Sequence, residues 1–228
     1  MTTVLITGAN RGIGLELVRQ YAAEGASVHA CCRNPEDAVD LKAIRGPVQI
    51  HALDVTDEAS ARRLAETLSG EAIDILINNA GVYGSREHQS LGDMDFDGWA
   101  EVFAVNTLAP LRVIQAFLPH IRRAGPCAKI ITISSQMGSL SRMAAGSYAY
   151  RSSKAAVNKV MQLVSIDLKD EKIIVCPMHP GWVRTDMGGH DAEIDVMESA
   201  AGLRRTIAKL TPTDSGKFFQ WDGTPLEW

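Results

Sequence analysis

The sequence predicts an α/β fold, a doubly wound parallel sheet of about seven strands in the order 3-2-1-4-5-6-7 with helices on both faces. Three observations carry that expectation. Short β-branched runs alternate with amphipathic helical stretches along the whole chain. Several of these runs are apolar at successive positions, as strands covered on both faces must be. A glycine-rich turn, Thr7 to Gly14, joins the first run to the first helix.

The 228 residues, 46% of them hydrophobic, suffice for one domain with a large core, and no linker, repeat or low-complexity segment divides them. A net charge of −4 without long runs of one sign offers no footprint for nucleic acid. The longest stretch free of charged residues, 130–141, has twelve residues, too few to cross a bilayer, and a strand-like run begins at Thr3 where a secretory leader would stand. Cys31, Cys32, Cys127 and Cys176 show neither zinc nor disulfide spacing and read as small apolar residues in a reducing cytosol. A cytoplasmic protein without nucleic-acid or membrane partners is expected.

The elements follow in order. Residues 4–7 form the first strand and run into TGANRGIG, where Gly8, Gly12 and Gly14 permit a tight turn and close approach of a pyrophosphate to the backbone. The helix at 13–24 then aims its amino-terminal N–H groups at the phosphates. A second strand, 27–32, ends at Arg33, with no acid before Glu36. A guanidinium there suits a 2′-phosphate, with Arg11 as a second charge, so the cofactor expected is NADPH/NADP+. A short helix lies within 35–44. The third strand, 48–53, leads to Asp54, which suits either the adenine amino group or a cap on the helix at 57–68. The fourth, 73–78, ends in NNAG, whose small residues leave bare backbone beside the cofactor. A long helix spans 96–123 with a break or kink at Pro110 and Pro119. A strand at 129–134 brings Ser134 and Ser135 to the same carboxyl edge as the glycine turn. The helix at 147–169, strands at 173–177 and 217–221, and a small lid at 187–198 complete the chain.

Tyr150 and Lys154 stand four apart on the helix at 147–169, so both project from one face. A free tyrosine, with a pKa of about 10, is a poor acid–base catalyst at neutral pH. A neighbouring ammonium favours the phenolate and lowers that value, allowing proton exchange with a carbonyl or alcohol oxygen. His179 reads as a packed histidine. The other histidines form no close ligand pair, so no metal site is expected. Trp182 suits a pocket wall or the core equally.

TGANRGIG, NNAG, Asn106, ISS and YRSSK, followed by HPGWVRTDMGG, resemble the short-chain dehydrogenase/reductase family over essentially the whole chain, a Rossmann-type fold. YAYRSSKAAVNK with GKFFQWDG looks most like its C-factor-like and carbonyl-reductase-like branch. The resemblance implies that Tyr150 is the acid/base, that Lys154 orients the ribose and lowers the tyrosine pKa, and that Ser135 steadies the substrate oxygen. Asn106 would hold Lys154 through a water and proton relay. The cofactor would be bound by Gly8, Asn10, Arg11, Gly12, Ile13, Gly14, Arg33, Asp54, Val55, Asn79, Ala80, Gly81, Tyr150 and Lys154. Pro180, Gly181, Val183 and Thr185 would flank the nicotinamide, with Thr185 on its carboxamide. The activity implied is reduction of a small-molecule carbonyl, an aldehyde, ketone or quinone. The alternatives are an alcohol dehydrogenase working oxidatively and a cofactor-binding signalling protein of the C-factor type. Assembly as a homodimer or homotetramer is implied through the helices flanking the site, one of them bearing Ala155, Ala156, Val160, Met161 and Val164. That surface equally suits packing on the sheet. One departure stands out: Ser135 and Tyr150 lie fifteen apart, a residue or two more than the family's usual gap. Ser135 to Tyr148 is thirteen, but four residues after Tyr148 stands Ser152 rather than a lysine. The extra length is assigned to the loop 138–146, with Ser134 as the less favoured substitute for Ser135.

Overall fold

The computed structural model describes residues 1–228. The amino-terminal half runs β1 (Thr3–Thr7), α1 (Gly12–Ala23), β2 (Ser27–Cys32), α2 (Val39–Lys42), β3 (Val48–Ala52), α3 (Glu58–Thr67) and β4 (Ile75–Asn78). A small hairpin follows, β5 (Gln89–Ser90) with β6 (Asp93–Met94). Next come α4 (Phe96–Phe103), α5 (Ala109–Ala124), β7 (Lys129–Ile133), α6 (Tyr148–Asp167), β8 (Ile174–His179), α7 (Val196–Lys209), β9 (Phe218–Gln220) and β10 (Pro225–Leu226). The main sheet has eight strands in the order β10-β9-β8-β7-β4-β1-β2-β3. Its seven parallel strands reproduce the expected order. The addition is β10, which pairs antiparallel with β9 at the edge.

Alternation along the buried strands sends successive side chains to opposite faces. Val4 and Ile6 pack with α1 and α7 residues such as Leu17, Val18 and Leu203. Leu5 packs on the other face with Leu64 of α3, Phe117 of α5 and Met161 of α6. Cys31 and Cys32 divide between the two cores as adjacent strand residues should. Cys127 departs from the expected apolar role, being exposed in a turn.

Several local features differ from expectation. α7 is a fourteen-residue helix opened by Asp195, whose carboxylate accepts from the Glu198 N–H; only the head of this segment was expected, as a lid. The long helix 96–124 does break, through a π turn over Ala104–Leu108 immediately before Pro110. Proline has no N–H to offer the Asn106 carbonyl four residues back, so a regular α-turn cannot close there. By length and composition Phe96–Ala124 could cross a membrane. Here Val113, Ile114, Phe117 and Ile121 bury its apolar stripe against the sheet. His29 and His51, expected to stay apart, meet on neighbouring strands at 3.0 Å, Nδ1 to Nε2, while His29 Nε2 lies 2.8 Å from Glu71. The two contacts use different ring nitrogens of His29, so the three side chains do not converge on one point as a chelate would.

Candidate active site

The carboxyl ends of β1, β4, β7 and β8 converge, and strand order reverses between β1 and β4, where such sheets bind ligands. Gly8 and Gly12 take φ of 64° and 54°, which glycine adopts without strain. The turn is pinned from β4: the Asn79 and Ala80 N–H groups donate to the Thr7 hydroxyl, each at 3.1 Å, and Asn79 Nδ2 donates to the Thr7 and Gly8 carbonyls at 3.0 Å. Asn79 and Ala80 therefore shape the turn. Gly12 opens α1, and a Cβ there would meet only the Thr185 side chain, at 3.5 Å.

A dinucleotide fits this edge for a second reason. α3, α4 and α7 are each capped by an aspartate, Asp57, Asp95 and Asp195. α1 has no side-chain cap and no acid in its first turn, so its leading N–H groups face the glycine turn without an internal acceptor. A phosphate is the complementary group for such a helix end. Asn10 and Arg11 are exposed on this turn and Ile13 packs beneath it. Arg33 stands exposed beyond β2, close enough to Asp54 to help hold that carboxyl below its usual range. The larger cause there is Thr56, whose hydroxyl and N–H both donate to Asp54 Oδ1, at 2.6 and 2.8 Å. Asp54 thus closes a local turn, and Asp57 caps α3. The Val55 carbonyl is held by Arg112 at 3.1 Å, a contact the sequence does not signal. Arg11 pairs with Asp186, just ahead of the lid, at 3.2 Å, with both side chains largely in solvent.

On the nicotinamide side, Gly181 has φ 89°, and a Cβ there would come within 2.5 Å of Ile194. The Pro180 carbonyl accepts from Ser199 at 2.6 Å, and Val183 bridges to Ile194. The Thr185 hydroxyl accepts from the Gly188 N–H at 3.1 Å and donates to the Val183 carbonyl. Trp182 is half-exposed and donates to the Gly188 carbonyl at 2.8 Å, so it closes this loop and is not in the core. His179 is buried with Nδ1 unpartnered, and burial pushes its pKa down to about 4.

Tyr150 and Lys154 are both buried at the start of α6, with Lys154 Nζ 5.7 Å from the phenol ring centre. Lys154 donates to the Ile133 carbonyl at 2.9 Å. Ser135 accepts from the Met137 N–H at 3.1 Å, leaving its hydroxyl hydrogen for the phenol beside it. Ser134 is turned away, donating to Asn158 at 2.6 Å, and Tyr148 is 39% exposed where Tyr150 is buried. The fifteen-residue interval thus brings Ser135 to Tyr150, with the surplus in a loop whose Leu140 and Met143 are exposed. Asn106 projects from the π turn, exchanges hydrogen bonds with both backbone groups of Val82 at 2.8 and 2.9 Å, and donates to Ser153 at 3.0 Å. It does not touch Lys154. Both Asn106 Oδ1 and Lys154 Nζ border Gly81, where a Cβ would lie 3.3 and 3.5 Å from them.

The electrostatics correct one expectation. Burial pushes the Tyr150 phenol up to about 12, opposed by Ser135, and Lys154 is not among the groups that offset it. Burial also pushes Lys154 down, to about 8. Desolvation of two buried groups outweighs their attraction at this separation. A charged lysine in this position costs the fold its full desolvation penalty below about pH 8, and the penalty fades as pH rises toward 10.5, the value of a free lysine. The melting temperature of Lys154→Met relative to the parent should therefore be highest at neutral pH and decline across that window, in thermal scans from pH 7 to 10.5. A difference independent of pH would remove the buried ammonium.

The glycine turn over an uncapped helix, facing a buried tyrosine, serine and lysine, defines a dinucleotide-dependent oxidoreductase. Comparison places it further: the family described as short chain dehydrogenase matches residues 2–208, and this chain belongs to that family. It is 43% identical over 168 residues to C-signal of Myxococcus xanthus, covering 73% of this chain and 99% of that one. It is 37% identical over 235 aligned residues to a 1-hydroxy-2-glutathionyl-2-methyl-3-butene dehydrogenase of Rhodococcus sp. (strain AD45), covering 100% of both. The NADPH-bound carbonyl reductase from chicken fatty liver superposes with a TM-score of 0.93 at 36% identity, covering 100% of this chain and 99% of that one.

Proposed function

We propose that this chain is a cytoplasmic, single-domain reductase that uses NADPH to reduce aldehydes, ketones or quinones, with Tyr150 as proton donor. The observation that carries this reading is the buried phenol beside Ser135 and Lys154, held in its protonated form at neutral pH. A bound nicotinamide would supply the hydride. Ser135 turns its one hydroxyl hydrogen from the phenol to the substrate oxygen when substrate is bound. Tyr150 protonates that oxygen as charge develops on it, and Lys154 would orient the nicotinamide ribose. The Asn106 carbonyl, without a Pro110 N–H to accept, is available to a water relay serving Lys154.

NADPH is supported by the exposed Arg33 at the end of β2, where no acid stands to hold a 2′-hydroxyl, and by the cofactor of the chicken carbonyl reductase. Arg33→Glu should weaken NADPH binding by about 10- to 100-fold, the worth of charge-assisted hydrogen bonds, with little effect on NADH. NADPH oxidation across a panel of aldehydes, ketones and quinones tests the whole reading, and broad turnover is expected. Cofactor binding without turnover of any member would favour a regulatory protein, the second reading that similarity to C-signal supports. The homodimer or homotetramer belongs to the proposal too. Met161 and Val164 are buried in the core, but Leu163 and Ile166 leave α6 an exposed apolar edge.

A further inference from the structure

Residues 83–89, from the loop after β4 to the first residue of β5, carry side chains that no part of the chemistry above uses, yet two of them meet the tyrosine from two directions. The Tyr83 ring lies 4.7 Å from that of Tyr150, centre to centre, at an interplanar angle of 30°. This is within the range of favourable aromatic pairing. The Tyr83 hydroxyl is hydrogen-bonded to Ser147 Oγ at 2.6 Å. Ser147 has φ 55°, a conformation uncommon for a residue with a side chain, and it immediately precedes α6. The Tyr83–Ser147 bond therefore anchors the backbone three residues ahead of Tyr150. Arg86 lies 5.4 Å from the centre of the Tyr83 ring and donates to the Met187 carbonyl at 2.7 Å, bracing that ring against the lid.

The second contact is to the backbone. α6 has no side-chain cap from Ser147 and no acid in its first turn. The Tyr150 N–H is instead accepted by Gln89 Oε1 at 3.1 Å. Gln89 is 5% exposed, and its Nε2 donates to the Tyr83 and Ser85 carbonyls at 2.8 and 2.6 Å. One buried amide thus ties the amino end of the catalytic helix to the stretch that carries Tyr83.

We propose that Tyr83 and Gln89 are positioning residues for the proton donor, Tyr83 confining the Tyr150 ring and Gln89 fixing its main chain. The proposal rests on the assignment of Tyr150 as that donor. A proton donor displaced by a fraction of an ångström loses rate without losing cofactor, so the effect belongs in kcat.

The test uses the NADPH-loaded enzyme with a carbonyl substrate. Tyr83→Leu, which removes the ring, should lower kcat by about 10- to 100-fold, with substrate KM and NADPH affinity within about threefold of the parent. The solvent deuterium isotope effect on kcat should rise, because proton transfer becomes more nearly rate-limiting; loosening of a remote loop would not produce this. Tyr83→Phe keeps the packing, loses the Ser147 bond and should fall between the two. Gln89→Met should resemble Tyr83→Leu. If that variant fails to fold, the tyrosine pair decides the question. Tyr150→Phe is run alongside. If it keeps the parent's activity, the donor assignment fails and this proposal with it. If Tyr150→Phe is inactive while Tyr83→Leu keeps the parent's kcat and isotope effect, the positioning role alone is overturned.

Discussion

Replacing Tyr150 with phenylalanine is expected to lower kcat for NADPH-dependent carbonyl reduction by about 1,000-fold, near the middle of the range for general acid catalysis. The substitution removes one oxygen and keeps the ring packed 4.7 Å from Tyr83, so the site loses its proton donor and little else. NADPH affinity, measured by fluorescence titration, should stay within about threefold of the parent, because the glycine turn and Arg33 carry most of the binding energy assigned here. Residual activity above about a tenth of the parent's would mean that another group protonates the product. The protonation state of the phenol gives the expectation its direction. Burial pushes the pKa up to about 12, so the donor form predominates across neutral pH.

Gly14→Ala should be the most damaging single change in the nucleotide-binding edge. A Cβ on Gly14 would lie 2.3 Å from the Gly8 carbonyl oxygen and 2.5 Å from Asn79 Nδ2. Neither neighbour is the free end of a flexible side chain, since Asn79 is itself held by the Thr7 and Gly8 carbonyls. The start of α1 must therefore move away from the turn, taking with it the N–H groups assigned to the phosphates. NADPH affinity should fall by about 100-fold, some 2.8 kcal/mol. Overpacking of this kind costs about 1–3 kcal/mol of stability. At this chain length that lowers the melting temperature by about 2–12 °C. Gly92→Ala is the matched control, because a Cβ there meets nothing within 4 Å and both quantities should stay at parental values. Unchanged NADPH affinity in Gly14→Ala would separate this helix end from cofactor binding.

The parallel strands and their order were legible because each is an apolar run whose periodicity is local. The glycine turn was legible because three glycines between a strand and a helix have few other uses. Spacing puts Tyr150 and Lys154 on one helix face, and the accompanying motifs single that pair out; the structure separates Tyr150 from Tyr148 by burial, and Ser135 from Ser134 by the bond that commits Ser134 to Asn158. What escaped the sequence depends on contacts distant along the chain. Gln89 reaches Tyr150 across 61 positions, and Thr7 accepts from Asn79 and Ala80 across 72 and 73. No window of residues announces such partners. The phenol's acidity was misjudged for the same reason: spacing reveals a neighbouring ammonium but not how much water the fold removes from both groups. α7 was passed over although Asp195 and the acid at Glu198 mark its start, because the preceding glycines and charges read as a loop.

The π turn at Ala104–Leu108 leaves the rod from Phe96 to Ala124 out of angular phase with itself. The extra residue shifts everything beyond it by roughly 100° relative to a helix of uniform pitch. The front half can therefore direct Asn106 to Val82 and Ser153 while the rear half directs Val113 and Phe117 into the sheet. Deleting one residue to straighten the rod would rotate one of those faces out of place. The break acts as a clutch between two surfaces that must face different ways, which lets the rear half repack without re-aiming the front.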